Sequence, residues 1–516
     1  MEPSATVSVK ELRSGDLQAT FVIVGGGIAG VSCTEQLALL RPTDSILLVT
    51  ASPIVKTATN IVKVCRVMET FDVEEKLLTY LEMQHANVKV LQDVLVSLDT
   101  ESRVATLRSQ RTVSYQCMCL CLGGRPQLLA KGNPLVLGVR DTETVQAFQE
   151  KLKGARRVAV VGNGGIATEL VHEIQGCQVL WAVRQDSIGA TFFDPGAAQF
   201  FMPQLYSDRE TLPPPSFKRA SEIGKSDSQP MHMIKKHALA PSKGVLGSAL
   251  GPDWASGRVM LGAGAQKKAV HVEYSCEVAE LLTPEEFRQR SLTETHFAQH
   301  QQQGVEAITG WPLYVLLTNG KLFGCDFVVS ATGVTPNADC IDVPRLRLGP
   351  DGGIEVDEHM QSSVDGVYAA GDVCCAAWPR SELWFQMRLW GQARQMGDWA
   401  AHCMAARHLG QPPPMADARF DLFSHVTRFF GYRVILLGLF NGQGLDKDDH
   451  RALVRITPNA EFVKLLLQGG RLKGAILVGE TDLEEMCENL LLDQLDVGPL
   501  ADHLLDPEVD IDDYFD

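Results

Sequence analysis

The chain contains two glycine-rich turns of the kind that bind the pyrophosphate of a dinucleotide. Each follows a short apolar run and opens a helix-like segment, reading FVIVGGGIAG and then VAVVGNGGIATE. Glycine lets the backbone approach the phosphates, and the helix N-terminus behind it offers unpaired N–H groups to their charge. The glycines are Gly25, Gly27 and Gly30 in the first turn and Gly162, Gly164 and Gly165 in the second. Two such turns predict two dinucleotides and electron transfer between them.

Composition narrows the class of protein. The chain has 516 residues, of which 45% are hydrophobic and 21% are charged, as in globular proteins with two or three domains. A formal net charge of −16 argues against direct nucleic-acid binding, which needs a basic surface. The 13 cysteines are scattered, which favours reduced thiols in an intracellular compartment. No targeting segment or run of about 18 apolar residues is visible, so no membrane span is expected.

The order of segments predicts an α/β fold. Two Rossmann-like dinucleotide domains, the second inserted in the first, precede a smaller α+β C-terminal domain. A stretch rich in Pro, Ser, Lys and Gly, about 207–264, is predicted to be a long insertion, largely loop or disordered. The predicted parts are 1–150 for the first domain, 151–330 for the second, 331–410 for the return of the first, and 415–516 for the C-terminal domain with its acidic tail.

Three further motifs accompany the turns. They are Cys121-Leu122-Gly123, Ala331-Thr332-Gly333 and Tyr368-Ala369-Ala370-Gly371-Asp372, each at the end of an apolar run. Together they resemble the pyridine nucleotide-disulfide oxidoreductase superfamily over about residues 20–410. That resemblance implies that the first domain binds FAD and that the second binds NAD(P)H as co-substrate.

The resemblance also assigns residues. It implies that the first turn lines the FAD pyrophosphate, that Asp372 binds a ribityl hydroxyl, and that the second turn takes the NAD(P)H pyrophosphate. A carboxylate suits the ribityl contact, because it accepts hydrogen bonds more strongly than a neutral group does. Gly333 and Gly371 are expected to pack near the nucleotides. Glu169 is expected to pair with a lysine near the flavin, either Lys56, which is preferred, or Lys63; Lys56 and Glu169 are therefore the candidate catalytic residues.

Two positions depart from the family pattern. Thr50 ends the strand after the first turn, where an acidic residue usually binds the adenosine ribose, and its hydroxyl can bond only one ribose oxygen. Val183 stands at the equivalent place in the second domain and is followed by Arg184. Without an acid there, a 2′-phosphate is not repelled, so Arg184 is a candidate contact to NADPH; an ordinary surface role is the alternative.

The redox cysteine pair of the disulfide reductases is missing. The corresponding region, TASPIVKTATNIVKVC, contains only Cys65. The alternating Cys117, Cys119 and Cys121 fit a buried strand face, and the Cys374-Cys375 pair keeps a thiol–disulfide reductase open as a minor alternative. The His-x-x-x-x-Glu pair of the disulfide reductases is not found after Leu422, and no metal-ligand spacing is seen, so no metal is expected.

These features predict an FAD-dependent NAD(P)H oxidoreductase without a cysteine-pair relay. The missing cysteine pair argues against a thiol substrate. The alternative is an FAD- and NAD(P)H-binding sensor or partner-shielding module with little turnover. Stretches such as GNGGIATELVHEI and LLDPEVDIDDYFD resemble one superfamily member closely. That resemblance implies the oxidative stress response, protection of the tRNA ligase complex as a protein partner, sarcomere integrity, and a place in nucleus and cytoplasm.

Overall fold

The computed structural model describes most of the chain. The described residues are 10–11, 16–140, 142–206, 246–248, 260–263, 269–296, 310–343, 345–446 and 448–506. Most of the predicted insertion and the end of the acidic tail lie outside these ranges. Within the insertion, the short strand at 246–248 and residues 260–263 are described.

The first domain begins with a parallel strand–helix–strand unit around the first glycine turn. Its helices are α1 (Ile28–Leu40) and α2 (Thr79–Gln84). Its strands are β1 (Lys10–Glu11), β2 (Leu17–Gln18), β3 (Phe21–Val24), β4 (Ile46–Thr50), β5 (Ile54–Lys63), β6 (Glu69–Leu77), β7 (Val88–Gln92), β8 (Leu95–Asp99), β9 (Val104–Leu107), β10 (Thr112–Ser114), β11 (Cys117–Leu120) and β12 (Gly124–Pro126). Strands β3, β4 and β11 are fully buried, which explains their uninterrupted apolar sequences.

The second domain repeats this unit around the second turn. Its helices are α3 (Thr142–Leu152), α4 (Gly165–Glu173), α5 (Pro195–Tyr206) and α6 (Pro284–Gln289). Its strands are β13 (Val136–Leu137), β14 (Arg157–Val161), β15 (Gln178–Ala182), β17 (Ala269–Glu273), β18 (Val278–Leu282), β19 (Leu313–Leu317), β20 (Leu322–Cys325) and β21 (Phe327–Ser330). Strand β16 (Leu246–Ser248) comes from the same part of the chain but pairs antiparallel with β6 of the first domain. Strands β19 and β20 pair antiparallel across a hairpin turn at Asn319-Gly320, a dipeptide typical of such turns.

The chain then returns to the first domain and ends in an antiparallel sheet. The return contains β22 (Val334–Pro336), β23 (Ile354–Val356), β24 (Val367–Ala369), β25 (Cys374–Ala376) and α7 (Trp390–His408). The C-terminal domain contains β26 (Ser424–Phe429), β27 (Tyr432–Gly438), β28 (Arg451–Thr457), β29 (Glu461–Gln468), β30 (Arg471–Val478) and α8 (Glu484–Asp493).

The strand order confirms the predicted insertion of one domain in the other. The central sheet of the first domain has the order β24-β11-β3-β4-β7, so a strand from the return segment completes it. The second domain has its own sheet, β13-β21-β14-β15-β17. All neighbours in both sheets are parallel. The C-terminal sheet, β26-β27-β30-β29-β28, is antiparallel and carries α8. The predicted fold class is therefore confirmed, whereas the numerical domain limits stay a prediction.

The C-terminal sheet shares a hydrophobic core with the second domain. Phe192, Phe193 and Phe201 of the second domain form one buried cluster with Phe429 and Phe430 of the C-terminal domain. An ion pair between the largely buried Lys464 of β29 and Asp194, just before α5, adds to the contact. The C-terminal domain is thus packed against the segment that carries the second glycine turn.

Candidate functional site: two dinucleotide turns

The first turn is pressed against the backbone of a neighbouring strand. Gly25 has φ +121°, a region that L-residues with side chains rarely adopt. A Cβ built there would lie 2.1 Å from the carbonyl oxygen of Cys121. The Gly25 amide donates to the carbonyl of Val49 over 2.8 Å, which fixes the end of β3 beside β4. The predicted glycine at this position is therefore required by close packing as well as by the turn.

The helix behind the first turn begins at an open position. Gly27 is the N-cap of α1 and no side chain caps it; among the described residues, apart from its chain neighbours and its own helix, no atom lies within 4 Å of the place where its Cβ would be. Gly30 sits one turn later, where a Cβ would come within 1.9 Å of the Gly25 carbonyl oxygen. The first helical turn carries no acidic residue. Uncapped N–H groups facing open space form the arrangement that binds a phosphate.

Thr50 lies directly behind the first turn. Its side chain is buried, and a Cβ on Gly26 would lie 2.6 Å from its hydroxyl oxygen. The same oxygen accepts a bond from the Ser52 amide over 3.3 Å. Thr50 thus ends β4 at the predicted place, and its contact with the adenosine ribose stays a prediction.

The Gly371-Asp372 motif packs on the first helix. It forms a short 3₁₀ turn, Gly371–Val373, and a Cβ on Gly371 would lie 2.9 Å from the Cβ of Ala29 in α1. Burial raises the pKa of Asp372, and the positive charges of Arg140 and Arg388 oppose that rise. The structure therefore brings Asp372 beside the first turn, as the assignment to a ribityl contact requires.

Arg140 joins this site although it was not singled out in the sequence. Its Nη2 atom lies 3.6 Å from Asp372 Oδ2, and a Cβ on Gly123 would lie 2.8 Å from the same nitrogen. Gly123 follows Cys121, whose carbonyl supports the first turn. A guanidinium at this place adds positive charge where a dinucleotide would lie. Only the tertiary contact reveals it, because Arg140 stands in no recognisable spacing.

The second turn repeats the geometry of the first. Gly162 has φ +134°, and a Cβ there would lie 2.1 Å from the carbonyl oxygen of Ala331. Gly164 is the N-cap of α4, again without a side-chain cap or an acidic residue in the first helical turn. The nearest atom to a Cβ on Gly164 would be the Thr191 hydroxyl oxygen at 3.9 Å. Ala331 thus plays for the second turn the part that Cys121 plays for the first.

Two aromatic rings and one buried amide surround the second turn. A Cβ on Gly165 would lie 3.2 Å from the ring of Phe192 and 3.5 Å from that of Phe429. The buried Asn163 accepts a bond from the Gly189 amide over 2.6 Å, and its amide donates to the Ser187 carbonyl over 2.8 Å. Asn163 therefore holds the loop after β15 against the turn, a role that the sequence did not indicate.

The remaining predicted residues lie around these turns. Arg184 follows β15, is well exposed, and pairs with Glu277 over 3.1 Å. The Lys56 amide donates to the Gly26 carbonyl over 2.9 Å, which places Lys56 beside the first turn, whereas Glu169 lies on α4 behind the second. Gly333 has φ +107° and lies on the surface between Thr332 and β22. Their roles toward the cofactors stay predictions.

The three cysteines considered for a redox role have surroundings that disfavour the thiolate. Burial, with Glu488 nearby, raises the pKa of Cys65 to about 12. Burial also raises the pKa of both Cys374 and Cys375, and the Cys374 thiol donates to the Gly371 carbonyl. All thirteen cysteines are free. A reactive cysteine needs a lowered pKa, so none of these three has the environment of a redox centre.

Other kinds of site receive no support from the described residues. Over those ranges, no group of three His, Cys, Asp or Glu side chains is arranged to hold a metal ion. In the same part of the chain, no helix combines the length and the apolar character needed to cross a membrane. The two turns with their uncapped helices therefore form the candidate site, and their open N-caps fit the pyrophosphates of FAD and NAD(P)H.

A fold with two such turns, the second inserted in the first, defines the two-dinucleotide flavoprotein oxidoreductases. The family model described as pyridine nucleotide-disulphide oxidoreductase matches residues 19–208 and 267–397. The chain belongs to this family. The break in the match coincides with most of the segment predicted to be an insertion. FAD and its co-substrate NAD(P)H are thus the cofactors of this chain.

The chain is similar over nearly its whole length to curated proteins named pyridine nucleotide-disulfide oxidoreductase domain-containing protein 1. The Mus musculus protein is 48% identical, with 96% of this chain and 98% of that protein covered. The Homo sapiens protein is 45% identical with the same coverage. The Dictyostelium discoideum protein is 35% identical, with 96% and 99% covered. The predicted resemblance is therefore confirmed.

Solved structures share the fold. A ferredoxin reductase for the CYP199A2 system from Rhodopseudomonas palustris superposes with TM-score 0.63 at 17% identity, covering 96% of this chain and 99% of that one. A NAD-dependent persulfide reductase from A. fulgidus gives 0.60 at 16% identity, covering 95% and 81%. Both structural similarities include the C-terminal domain of this chain.

Proposed function

We propose that this FAD-dependent NAD(P)H oxidoreductase passes electrons from its flavin to an acceptor without a cysteine relay. The observation that carries the proposal is the state of the thiol in the segment where the disulfide reductases have their redox pair. Cys65 is the one cysteine in residues 51–87, and its pKa is raised to about 12, whereas a relay needs a paired, activated thiolate. Cys374 is fully buried, which also argues against thiol exchange through that residue.

The residues of the chain supply binding and orientation. Bound FAD would supply the redox chemistry, accepting a hydride from NAD(P)H and passing two electrons to an acceptor. The uncapped N-termini of α1 and α4 hold the two pyrophosphates through backbone N–H groups. Asp372 accepts a hydrogen bond from a ribityl hydroxyl, and Arg140 balances its charge. The buried contact of Gly371 with Ala29 keeps that carboxylate at a fixed distance from the first turn.

The experiment is anaerobic mixing of the purified, yellow protein with NADH or NADPH. We expect the flavin absorbance to bleach, and we expect no thiols to become titratable on reduction. Cys65→Ser should leave the spectra of the oxidised and reduced protein unchanged. A thiolate–flavin charge-transfer band that disappears in Cys65→Ser would contradict the proposal.

A second variant tests whether another thiol takes part in electron transfer. Cys374→Ser removes the buried thiol whose hydrogen bond goes to Gly371, so it also tests the minor thiol–disulfide alternative. Bleaching that persists in Cys65→Ser and Cys374→Ser together supports a direct outlet from the flavin. Tight nucleotide retention with turnover slower than once per minute would instead favour the partner-shielding alternative.

We further propose, from the close similarity to the curated relatives, that this oxidoreductase acts in the oxidative stress response. The same similarity supports the tRNA ligase complex as a protein partner, a contribution to sarcomere integrity, and a place in nucleus and cytoplasm. Affinity purification of the full chain from oxidant-treated and untreated cells tests the partner. Recovery of RNA ligase activity with the wild-type chain, and its loss when the FAD site is disrupted, is the expected result; no recovery with either chain would refute it.

A further inference from the structure

The tip of the β5–β6 hairpin, residues 64–68, is a turn that presents three N–H groups to one side. The amides of Val64 and Cys65 both donate to the carbonyl of Met68, over 2.9 and 3.3 Å, and close the turn. The three amides that follow, those of residues 66, 67 and 68, donate to a single side chain, Glu488 of α8. Successive N–H groups that point the same way form a concave site for an anion. A carboxylate from the C-terminal domain therefore fills an anion site in the first domain.

Glu488 is completely buried, although it carries a charged group. One carboxylate oxygen accepts from the amides of Arg66 and Val67 at 2.5 and 3.2 Å. The other oxygen accepts from the amides of Val67 and Met68 at 3.1 and 3.2 Å. Glutamate is rarely buried in full unless its charge is met, and here backbone donors meet both oxygens. Removal of the carboxylate would deprive these N–H groups of their acceptor, which costs free energy.

Apolar contacts attach the hairpin tip to α8, but they do not orient it. Met68 belongs to one buried cluster with Leu490 and Leu491 of α8. Apolar burial has no preferred direction, so this cluster by itself permits several positions of the tip. Hydrogen bonds are directional, and those to a charged acceptor are the stronger kind. Glu488 therefore sets the position of the tip, whereas the packing of Met68 keeps the tip attached.

The base and the middle of the hairpin contact the first glycine turn. The amide of Lys56 donates to the carbonyl of Gly26 over 2.9 Å. Phe71 packs in one apolar cluster with Ile28, the first residue of α1, and with Trp390, the first residue of α7. Because β5 and β6 are paired over most of their length, a shift of the tip is carried to this cluster. The hairpin thus joins α8 to the site proposed for the FAD pyrophosphate.

The C-terminal sheet lies between α8 and the second domain. Successive residues of a strand face opposite sides of a sheet. On β27, Ile435 belongs to the cluster under α8, whereas Leu436 belongs to the core shared with the second domain. The same core contains Phe192, whose ring would lie 3.2 Å from a Cβ on Gly165 in the second turn. The face of the sheet opposite α8 therefore supports the second turn.

A second carboxylate ties α8 to this sheet. Glu484 is buried, lies one helical turn before Glu488, and pairs with Arg433 of β27 at 3.0 Å. Residues four apart lie on the same side of a helix. One side of α8 therefore joins its own sheet through Glu484 and the hairpin of the first domain through Glu488. A continuous path leads from the first glycine turn through the hairpin, α8 and the sheet to the second.

We propose that Glu488 is a positioning residue for hydride transfer, because its hold on the hairpin tip sets the orientation of the first glycine turn relative to the second. In that transfer one hydride, with its two electrons, passes from NAD(P)H to FAD, and NAD(P)⁺ is released. The inference concerns only the reduction of FAD, so it does not depend on the outlet from the flavin proposed above. A misplacement of about 1 Å between reacting groups can lower a rate by about 100-fold.

The first test measures the contact itself and needs no turnover. Amide hydrogen exchange of the purified holoenzyme is compared between the wild type and Glu488→Gln, which keeps the shape of the side chain but offers one acceptor oxygen in place of two. The amides of residues 66–68 should exchange about ten-fold faster in the variant, because their bonds to a charged acceptor are lost. Exchange along β29 should stay unchanged. Equal exchange at residues 66–68 would overturn the proposal.

The second test separates hydride transfer from nucleotide binding. Anaerobic stopped-flow reduction is followed over a range of concentrations of NADH or NADPH, whichever reduces the wild type faster. Glu488→Gln should lower the limiting rate about ten-fold and leave the Kd of the nucleotide within about two-fold, with FAD retained. The matched control is Glu485→Gln, which removes the same charge from an exposed position on the same helix and should behave as the wild type.

Two outcomes of that measurement would refute the positioning role. One is an unchanged limiting rate in a variant whose hairpin tip exchanges faster. The other is loss of FAD in step with the limiting rate, which would mean that Glu488 only stabilises the first domain. If Glu488→Gln does not fold, Glu488→Asp takes its place with the same expected results, because it keeps the charge but withdraws it by one methylene group.

A variant of the apolar contact distinguishes orientation from stability. Met68→Ala removes buried apolar surface from the same hairpin tip, so it should lower the thermal midpoint of unfolding. Because the bonds to Glu488 remain, its limiting rate of reduction should stay within about two-fold of the wild type. If the limiting rate instead falls in proportion to the thermal midpoint in both Met68→Ala and Glu488→Gln, stability explains the effect and the proposal is wrong.

Discussion

The two glycine turns share one backbone geometry but are packed by different parts of the chain. In both, the first glycine lies where a Cβ would come within 2.1 Å of a carbonyl oxygen from a neighbouring strand, Cys121 in one case and Ala331 in the other. The first turn is held by its own domain, since α7 lies on α1 with Gly397 against Ala29. The second is covered by Phe192 and by Phe429 from the C-terminal sheet.

This difference in packing fits a nucleotide that stays bound at the first turn and one that exchanges at the second. Around the first turn, a Cβ at Gly30 would lie 1.9 Å from the Gly25 carbonyl oxygen. A Cβ at Gly397 would lie 2.1 Å from the Ala29 carbonyl oxygen. Backbone contacts this close leave no room for repacking. Around the second turn Gly162 also meets a backbone carbonyl, but Gly165 meets the side chains of Phe192 and Phe429, which adjust more easily than backbone. We therefore expect FAD to be retained through purification and NAD(P)H to exchange, with the C-terminal domain affecting only the second step.

The largest effect should come from filling the two open N-caps. Gly27→Val should abolish FAD binding, because the added side chain begins in the open space at the helix N-terminus that the pyrophosphate would take. Gly164→Val should leave the protein yellow but lower its rate of reduction by NAD(P)H by more than about 100-fold. Flavin absorbance and anaerobic stopped-flow reduction measure the two results.

Each variant serves as the control for the other. Both positions have extended backbone, with φ −79° at Gly27 and −90° at Gly164, so valine is tolerated at both. Thermal melting should confirm that both proteins fold. If Gly164→Val loses FAD, or Gly27→Val keeps it, the assignment of the two turns is reversed or wrong.

The next largest effect is a loss of stability at low pH, and it should affect the second turn more than the first. Burial lowers the pKa of His425 to about 4 from 6.5. Because the folded protein resists protonation of this histidine and the unfolded chain does not, acid favours unfolding. The free energy of unfolding is highest above about pH 6.5 and falls as the pH drops toward 4. The loss in the free energy of unfolding between pH 7 and pH 5 is about 2 kcal/mol.

The measurement is urea unfolding of the wild type and His425→Gln at both pH values. The wild type should lose more stability on acidification than the variant does, and its affinity for NAD(P)H should fall before FAD is released, because His425 stacks on Phe192 beside the second turn. Equal losses in the two proteins would show that another group is responsible.

A smaller effect is expected from Asp372 in the first site. Asp372→Asn keeps the shape of the side chain but removes the charge that accepts a ribityl hydroxyl, so FAD should bind about ten-fold more weakly. Fluorescence titration of the apoprotein with FAD measures the change. Asp339→Asn is the control, since Asp339 is an exposed carboxylate paired with Arg125 at 2.6 Å, and it should leave the affinity unaltered.

The smallest effect is expected at Arg184. This side chain is 77% exposed and shares its charge with Glu277, so it can add little to a 2′-phosphate contact. Arg184→Ala should lower the preference for NADPH over NADH by about three-fold or less. Glu277→Ala should raise the same preference, because it releases the guanidinium. If the ratio of kcat/KM for NADPH to that for NADH is unchanged in both variants, Arg184 does not contact the nucleotide.

Much of this architecture could be predicted from local sequence. Each turn is encoded within about ten residues, and buried parallel strands are uninterrupted apolar runs, so the fold class followed from the two fingerprints and the return motif. Arg140 and Asn163 could not be predicted in this way. Arg140 reaches Asp372 across more than two hundred residues of chain, and Asn163 acts through a loop that begins after β15.

The sequence by itself determined that the chain has two dinucleotide turns and that the segment 51–87 contains one cysteine rather than a pair, because both depend on which residues occupy a few adjacent positions. Tertiary structure decided how the turns are held. The Cys121 and Ala331 carbonyls that support them, and the Arg140 guanidinium beside Asp372, come from segments distant in the chain. Such contacts are a property of packing, since they arise only when distant segments meet.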